Sequence, residues 1–323
     1  MAWWFVPLTV ALGLGCEEAP PKEESQLFVV PPASALASAA PPRLLYLPDG
    51  GDQAPPAAPP NAPSLPAPPQ PTRSSRCPAE MVDVAGRYCI DRYEARLVDT
   101  AQGRPLSPYY SPTGRKAARE QGFWRKEALV VGSPSAQAKP LPLLPGWQVS
   151  ETYEPKAESA PGVIPNGYVT GHEAALACAN AGKRLCTEQE WVTACQGEAQ
   201  QQFPYGNKYE WGTCNVFREA HPAAVLHDDA SRGHLDPRLN QVSSSKGPLL
   251  RPTGGTPACR SVWGDDAIYD MVGNLDEWIE DERGVFLGGF FSRSTKNGCL
   301  SRVGAHPREY YDYSLGVRCC RSP

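Results

Sequence analysis

The sequence predicts a mixed helix-and-strand domain, poor in regular secondary structure and stapled by disulfides. Three observations predict it. Ten cysteines follow Cys16, at 77, 89, 178, 186, 195, 214, 259, 299, 319 and 320, an even number with no CxxC pair among them. Two short segments carry complete helix punctuation. Between and around them Gly, Pro and Asn recur too often for long elements. An even cysteine count in an exported chain reads as a disulfide framework, and such frameworks persist in oxidising compartments.

The chain has 323 residues, a net charge of −4 and eight tryptophans, six of them beyond residue 100. Those six can anchor a sizeable core. No basic stripe interleaved with aromatics is present, which argues against a nucleic-acid partner. Residues 1–15, MAWWFVPLTVALGLG, are apolar and run directly into Cys16. The run is too short for a spanning helix and suits a secretion signal of the lipoprotein type, with Cys16 as the lipidated residue. Residues 17–75 hold 16 of the 36 prolines, in a background of Ala, Ser and Gln. Proline removes backbone donors, so this segment reads as an extended, solvated linker. The folded part is expected over 76–323, as a single domain.

Within that domain, "TGHEAALACANAG" (170–182) offers Thr170 as N-cap, Glu173 as its capping-box partner and Gly182 just past the end. "TEQEWVTACQG" (187–197) repeats the arrangement with Thr187, Glu190 and Gly197. Strands are expected at 81–85, 88–94, 285–291 and 315–320. Residues 104–165, rich in Pro, Ser and Lys, read as a long irregular excursion.

The runs "RYCIDRYEA", "ACANAGKRLCTEQEWVTACQG", "FPYGNKYEWGTCN", "YDMVGNLDEW", "LGGF" and "SLGVRCC" occur in that order. Together they resemble the formylglycine-generating enzyme, or sulfatase-modifying factor, family over nearly all of 76–323. The resemblance implies a C-type-lectin-like α+β fold. Active members oxidise a sulfatase cysteine with dioxygen and Cu(I), held by two cysteines five residues apart shortly after a Gly-Gly turn. Soft thiolates suit Cu(I). Here the turn is Gly288–Gly289, Cys299 is the one thiol in place, and Ser294 beside Arg293 stands where the other should be. Copper is therefore not expected. A branch of the superfamily binds iron through three histidines, but His172, His221, His227, His234 and His306 form no HxxxHxE motif.

The resemblance also implies that Cys178 joins Cys319 and that Cys195 joins a cysteine after the turn, for which Cys299 is the nearest. Of the rest, Cys77–Cys89 would close a hairpin, Cys214–Cys259 a loop and Cys186–Cys320 the remainder, pairings that neither spacing nor the resemblance fixes. It implies calcium at "DMVGNLDE", through the Asp270 and Glu277 side chains and the Gly273 and Leu275 carbonyls, since calcium takes six to eight oxygens. A weaker second site would use Asn215 and Val216, with Asp229 as the nearest acid. The polar turn itself, orienting Trp278 into the core, explains the same residues without a metal.

The reading that follows is an exported, lipid-anchored, non-catalytic domain of the cell envelope that binds an extended peptide or an envelope protein. Two others stand beside it: a copper-dependent oxidase with a diverged site around a free Cys299, and a structural envelope protein.

Overall fold

The computed structural model describes residues 76–217, 220–304 and 306–323. The expected signal, the lipidation site Cys16 and the 17–75 linker lie outside these residues. The chain divides between Ser64 and Leu65, and every described residue belongs to the second unit.

The first sheet begins with a hairpin of β1 (Met81–Val84) and β2 (Tyr88–Asp91). β3 (Ala95–Asp99) then pairs with β4 (Pro155–Ser159). Between them lie α1 (Gly114–Glu127), α2 (Pro134–Gln137) and α3 (Gly146–Ser150). The excursion expected over 104–165 is thus largely ordered. α1 escaped detection because its inward stripe is Ala117, Glu120 and Trp124, with a carboxylate at its centre. Glu120 is tolerated there because it accepts bonds from the Ser111 amide and the Tyr311 hydroxyl.

α4 (Gly171–Asn180) and α5 (Glu188–Gln196) flank the short strand β5 (Arg184–Leu185). Both capping boxes form, on Thr170–Glu173 and Thr187–Glu190. Glu173 also receives bonds from Thr113 and Lys116, which pins the start of α1 to α4. α6 (Pro222–His227) is followed by two-stranded ribbons, β6 (Ser243–Ser244) with β7 (Gly247–Pro248) and β8 (Arg260–Trp263) with β9 (Asp266–Tyr269).

The second sheet is built from β10 (Asp276–Trp278), β11 (Phe286–Leu287), β12 (Arg302–Val303) and β13 (Leu315–Val317), in the order β12-β11-β10-β13. β14 (Cys319–Arg321) returns to the first sheet, which runs β1-β2-β14-β5.

Two expected strands are therefore corrected. The one at 315–320 is two strands in different sheets, divided at Arg318, whose buried side chain must reach between them. The one at 285–291 stops at Leu287, because Gly288 and Gly289 turn the backbone into the left-handed region at φ +94° and +79°.

The main apolar core lies between the first sheet, α5 and the β8–β9 ribbon, around Trp191, Trp263, Ile268 and Met271. Three disulfides lie in this core, Cys178–Cys319 lies in a second apolar cluster, and Cys77–Cys89 packs on Met81. All five cysteine pairs named above are brought together: Cys77–Cys89, Cys178–Cys319, Cys186–Cys320, Cys195–Cys299 and Cys214–Cys259. Such usage marks a chain made for an oxidising, exported compartment. Among the described residues, no helix is long and apolar enough to cross a membrane.

Candidate functional site at the Gly-Gly turn

Gly288 and Gly289 place the site. A Cβ on Gly289 would fall 2.3 Å from the Thr295 side chain, and one on Gly288 would fall 2.8 Å from the Met271 carbonyl. No other residue type fits both the left-handed backbone and this close approach. The turn aims the Gly289 amide at Asp276 Oδ1, which it reaches at 2.9 Å. Arg293 donates to the same oxygen at 2.5 Å.

Asp276 is fully buried, and its Oδ2 has no partner among the described residues. Burial pushes its carboxyl up to about 7 against the pull of Arg293 and the Gly289 amide. The Arg293 side chain keeps about a third of its surface exposed. Phe290 packs edge-on to Tyr313, whose hydroxyl lies 3.1 Å from His221 Nε2. Phe217 and Ala220 lie alongside: the Phe217 amide donates to the Arg293 carbonyl, and the Ser292 hydroxyl donates to that of Ala220. Trp211 and Phe217, both more than half exposed, meet edge to face beside a cavity of about 160 Å³ lined by Val216, Lys246 and Arg251.

Cys299 lies away from solvent, fully buried, bonded to Cys195 and held by its amide to the Gln202 carbonyl. Ser294 is exposed. A guanidinium, a hydroxyl and a disulfide therefore occupy the ground where copper chemistry requires two thiolates. The residues do not fit Cu(I).

Both side chains expected to bind calcium, Asp270 and Glu277, are engaged by protein groups. Glu277 faces Arg318, whose Nε lies 3.0 and 2.9 Å from its two oxygens, and accepts Trp191 Nε1 at 2.6 Å. Asp270 accepts the Gly254 amide. The loop turns amides inward at this point: Asn274 donates to the Asn215 carbonyl and Leu275 to Glu94. Gly273 packs so closely on Asn215 that a Cβ would sit 2.4 Å from its carbonyl oxygen.

At the second set, Asn215 leaves Oδ1 buried without a partner among the described residues, and Asp229 is bonded to Ser231 and Arg232. Val216 belongs to the apolar core. No group of three His, Cys, Asp or Glu side chains arranged for a metal exists among the described residues. Sequence reasoning missed Glu94, whose carboxylate holds Asn274 and Leu275 together. The motif "RYCIDRYEA" also carries Arg87, Asp91 and Arg92, so nothing local set Glu94 apart.

A pH dependence follows from Asp276 and Asp270, both pushed up to about 7 by burial. A carboxyl whose pKa is higher folded than unfolded binds its proton more tightly when folded, so stability falls as pH rises through this range. His221, lowered by burial and by His234, acts in the opposite sense below its ordinary 6.5. The melting temperature should therefore rise as pH is lowered from about 8 to 6.5. Asp276→Asn should flatten part of that rise. A melting temperature that is constant or falls across the window would contradict the burial argument.

Comparison with known proteins supplies the remaining context. Residues 107–323 match the family model described as "Sulfatase-modifying factor enzyme 1-like domain". The chain is 27% identical over 214 residues to "Inactive C-alpha-formylglycine-generating enzyme 2" of Bos taurus, covering 62% of this chain and 56% of that protein. It is 25% identical over 208 residues to the formylglycine-generating enzyme of Thermomonospora curvata, covering 60% of this chain and 59% of that one. It thus spans little more than half the length of these relatives. Among solved structures, PvdO from Pseudomonas aeruginosa is similar at 15% identity, covering 73% of this chain and 80% of that one, with a TM-score of 0.34. The Major Tropism Determinant I1 variant is similar at 12%, over 77% and 54%, with a TM-score of 0.39. With the family's motifs matched across its own α+β, disulfide-stapled domain, this chain belongs to the sulfatase-modifying factor family.

Proposed function

We propose that this protein is an exported, membrane-anchored member of the family that binds rather than catalyses, with the surface at the Gly-Gly turn holding an extended peptide or envelope protein. One observation carries the reading. Cys299 is buried in a disulfide with Cys195, and Arg293 on Asp276 fills the neighbouring ground. A thiol in a disulfide is neither a nucleophile nor a soft ligand. The part-exposed Arg293 and the exposed Trp211 and Phe217 offer the cationic and aromatic contacts that extended chains use. A relative carrying the word "Inactive" in its name is compatible with this reading. Attachment through Cys16 is part of the proposal.

The test is a pair of assays on denatured, unreduced protein and on native protein. The first should show no thiol reactive to a maleimide, and a Cys195–Cys299 peptide after non-reducing digestion. The second, with Cu(I), oxygen and a CxPxR peptide, should give no aldehyde. A reactive thiol at Cys299 together with aldehyde product would restore the oxidase.

A further inference from the structure

The ordered excursion carries a surface that the Gly-Gly turn does not use. The chain as a whole has a net charge of −4. α1 nevertheless holds five cations, Arg115, Lys116, Arg119, Arg125 and Lys126, against Glu120 and Glu127, and Glu120 is buried. Lys116 is tied to Glu173, while Arg115, Arg119, Arg125 and Lys126 lie exposed.

At the C-terminal end of α1 the chain displays aliphatic side chains to water. Leu129 is 66% exposed, Val130 71% and, on the facing loop, Leu143 81%. Between the helix and that loop runs a groove of about 590 Å³ floored by Trp124, Leu141 and Leu144. Its only charged lining residues are Arg125 and Lys139, and no carboxylate lines it. Phe123, 55% exposed, extends the apolar surface along the helix.

Protruding aliphatic side chains are unfavourable in water, and their clustering marks a binding surface. The chemistry of the patch selects the partner. Protein hot spots are dominated by Trp, Tyr and Arg seated in pockets. Here the tryptophan is buried beneath the groove, and the protruding groups are Leu, Val and Phe beside cations. Apolar tips that enter the acyl boundary, with Lys and Arg at the height of the phosphates, are how peripheral proteins engage anionic bilayers.

We infer that this face docks on an anionic lipid surface, with Leu129, Val130 and Leu143 inserted and Arg125, Lys126 and Lys139 against the headgroups. The inference does not depend on acylation of Cys16 or on peptide binding at the Gly-Gly turn.

The test uses the full chain carrying Cys16→Ser, which removes the acylation site, in co-sedimentation with vesicles. Vesicles of phosphatidylcholine with about 30% phosphatidylglycerol should bind it at least about tenfold better than pure phosphatidylcholine, and high salt should release it. Leu129→Glu with Leu143→Glu should lower binding about tenfold in the same background, with the melting temperature unchanged because both side chains are exposed. Equal binding by parent and variant, or equal binding to the two vesicle types, overturns the inference. So does capture of soluble polyglutamate that depends on Leu143 without vesicle binding, which would assign the face to an acidic protein.

Discussion

Removing the Cys178–Cys319 and Cys186–Cys320 disulfides together is expected to unfold the domain, whereas removing either alone is not. The two bonds close nearly the same loop, with sequence separations of 141 and 134. While one is intact, the other closes only a small ring of about ten residues, worth about 2–3 kcal/mol in the chain-entropy model. When the second is lost as well, a ring that the intact Cys195–Cys299 bond limits to roughly 30–40 residues opens, and about 4 kcal/mol more is lost. The sum approaches the whole net stability of a typical domain. Cys178 and Cys319 also sit in one apolar cluster with Leu185 and Trp278, so their loss loosens packing around α4 and β14. Denaturant unfolding of the two double Cys→Ala variants and the quadruple variant measures this. A quadruple variant within about 2 kcal/mol of the parent would show that native packing, not chain closure, holds these segments.

Arg318→Ala is expected to cost about 3–5 kcal/mol. The guanidinium is fully buried where the chain passes from β13 to β14. It bonds both oxygens of Glu277 and donates to the Asp91 and Tyr269 carbonyls, joining the two sheets and the β8–β9 ribbon. Alanine would leave the Glu277 carboxylate buried with only Trp191 as a donor, and two carbonyls unpaired. Glu94 and Asp270, whose carboxyls burial already pushes upward, would lose the same cation. Pairing Arg318→Met with Glu277→Gln should recover part of the loss, because a buried ion pair is costlier to halve than to remove. Arg283→Ala, which breaks an exposed pair with Asp281, should change stability by less than about 1 kcal/mol. Thermal and urea unfolding of the three variants decides the matter. An Arg318→Ala variant as stable as Arg283→Ala would remove Arg318 from the centre of the fold.

The two capped helices were legible in the sequence because their determinants are local. Thr170 and Glu173, or Thr187 and Glu190, lie three residues apart, and each box satisfies amides that helix geometry orphans. The even cysteine count, the Gly-Gly turn and the missing second thiolate were legible for a similar reason: they are matters of residue identity. The tertiary structure alone decided the rest. Which oxygen Arg293 takes depends on Asp276, in β10 and 17 residues away. Glu94 holds a loop 180 residues further on, accepting from the Asn274 side chain and the Leu275 amide. α1 is helical although its stripe contains Glu120, because Tyr311, 191 residues away, supplies the hydrogen bond that burial of a carboxylate requires. A strand pattern at 315–320 divides at Arg318, whose buried guanidinium takes the Glu277 carboxylate of the second sheet and the Asp91 carbonyl of the first. Local pattern fixes what a backbone segment prefers. Whether a charge can be buried within it depends on partners that only folding brings within hydrogen-bond distance.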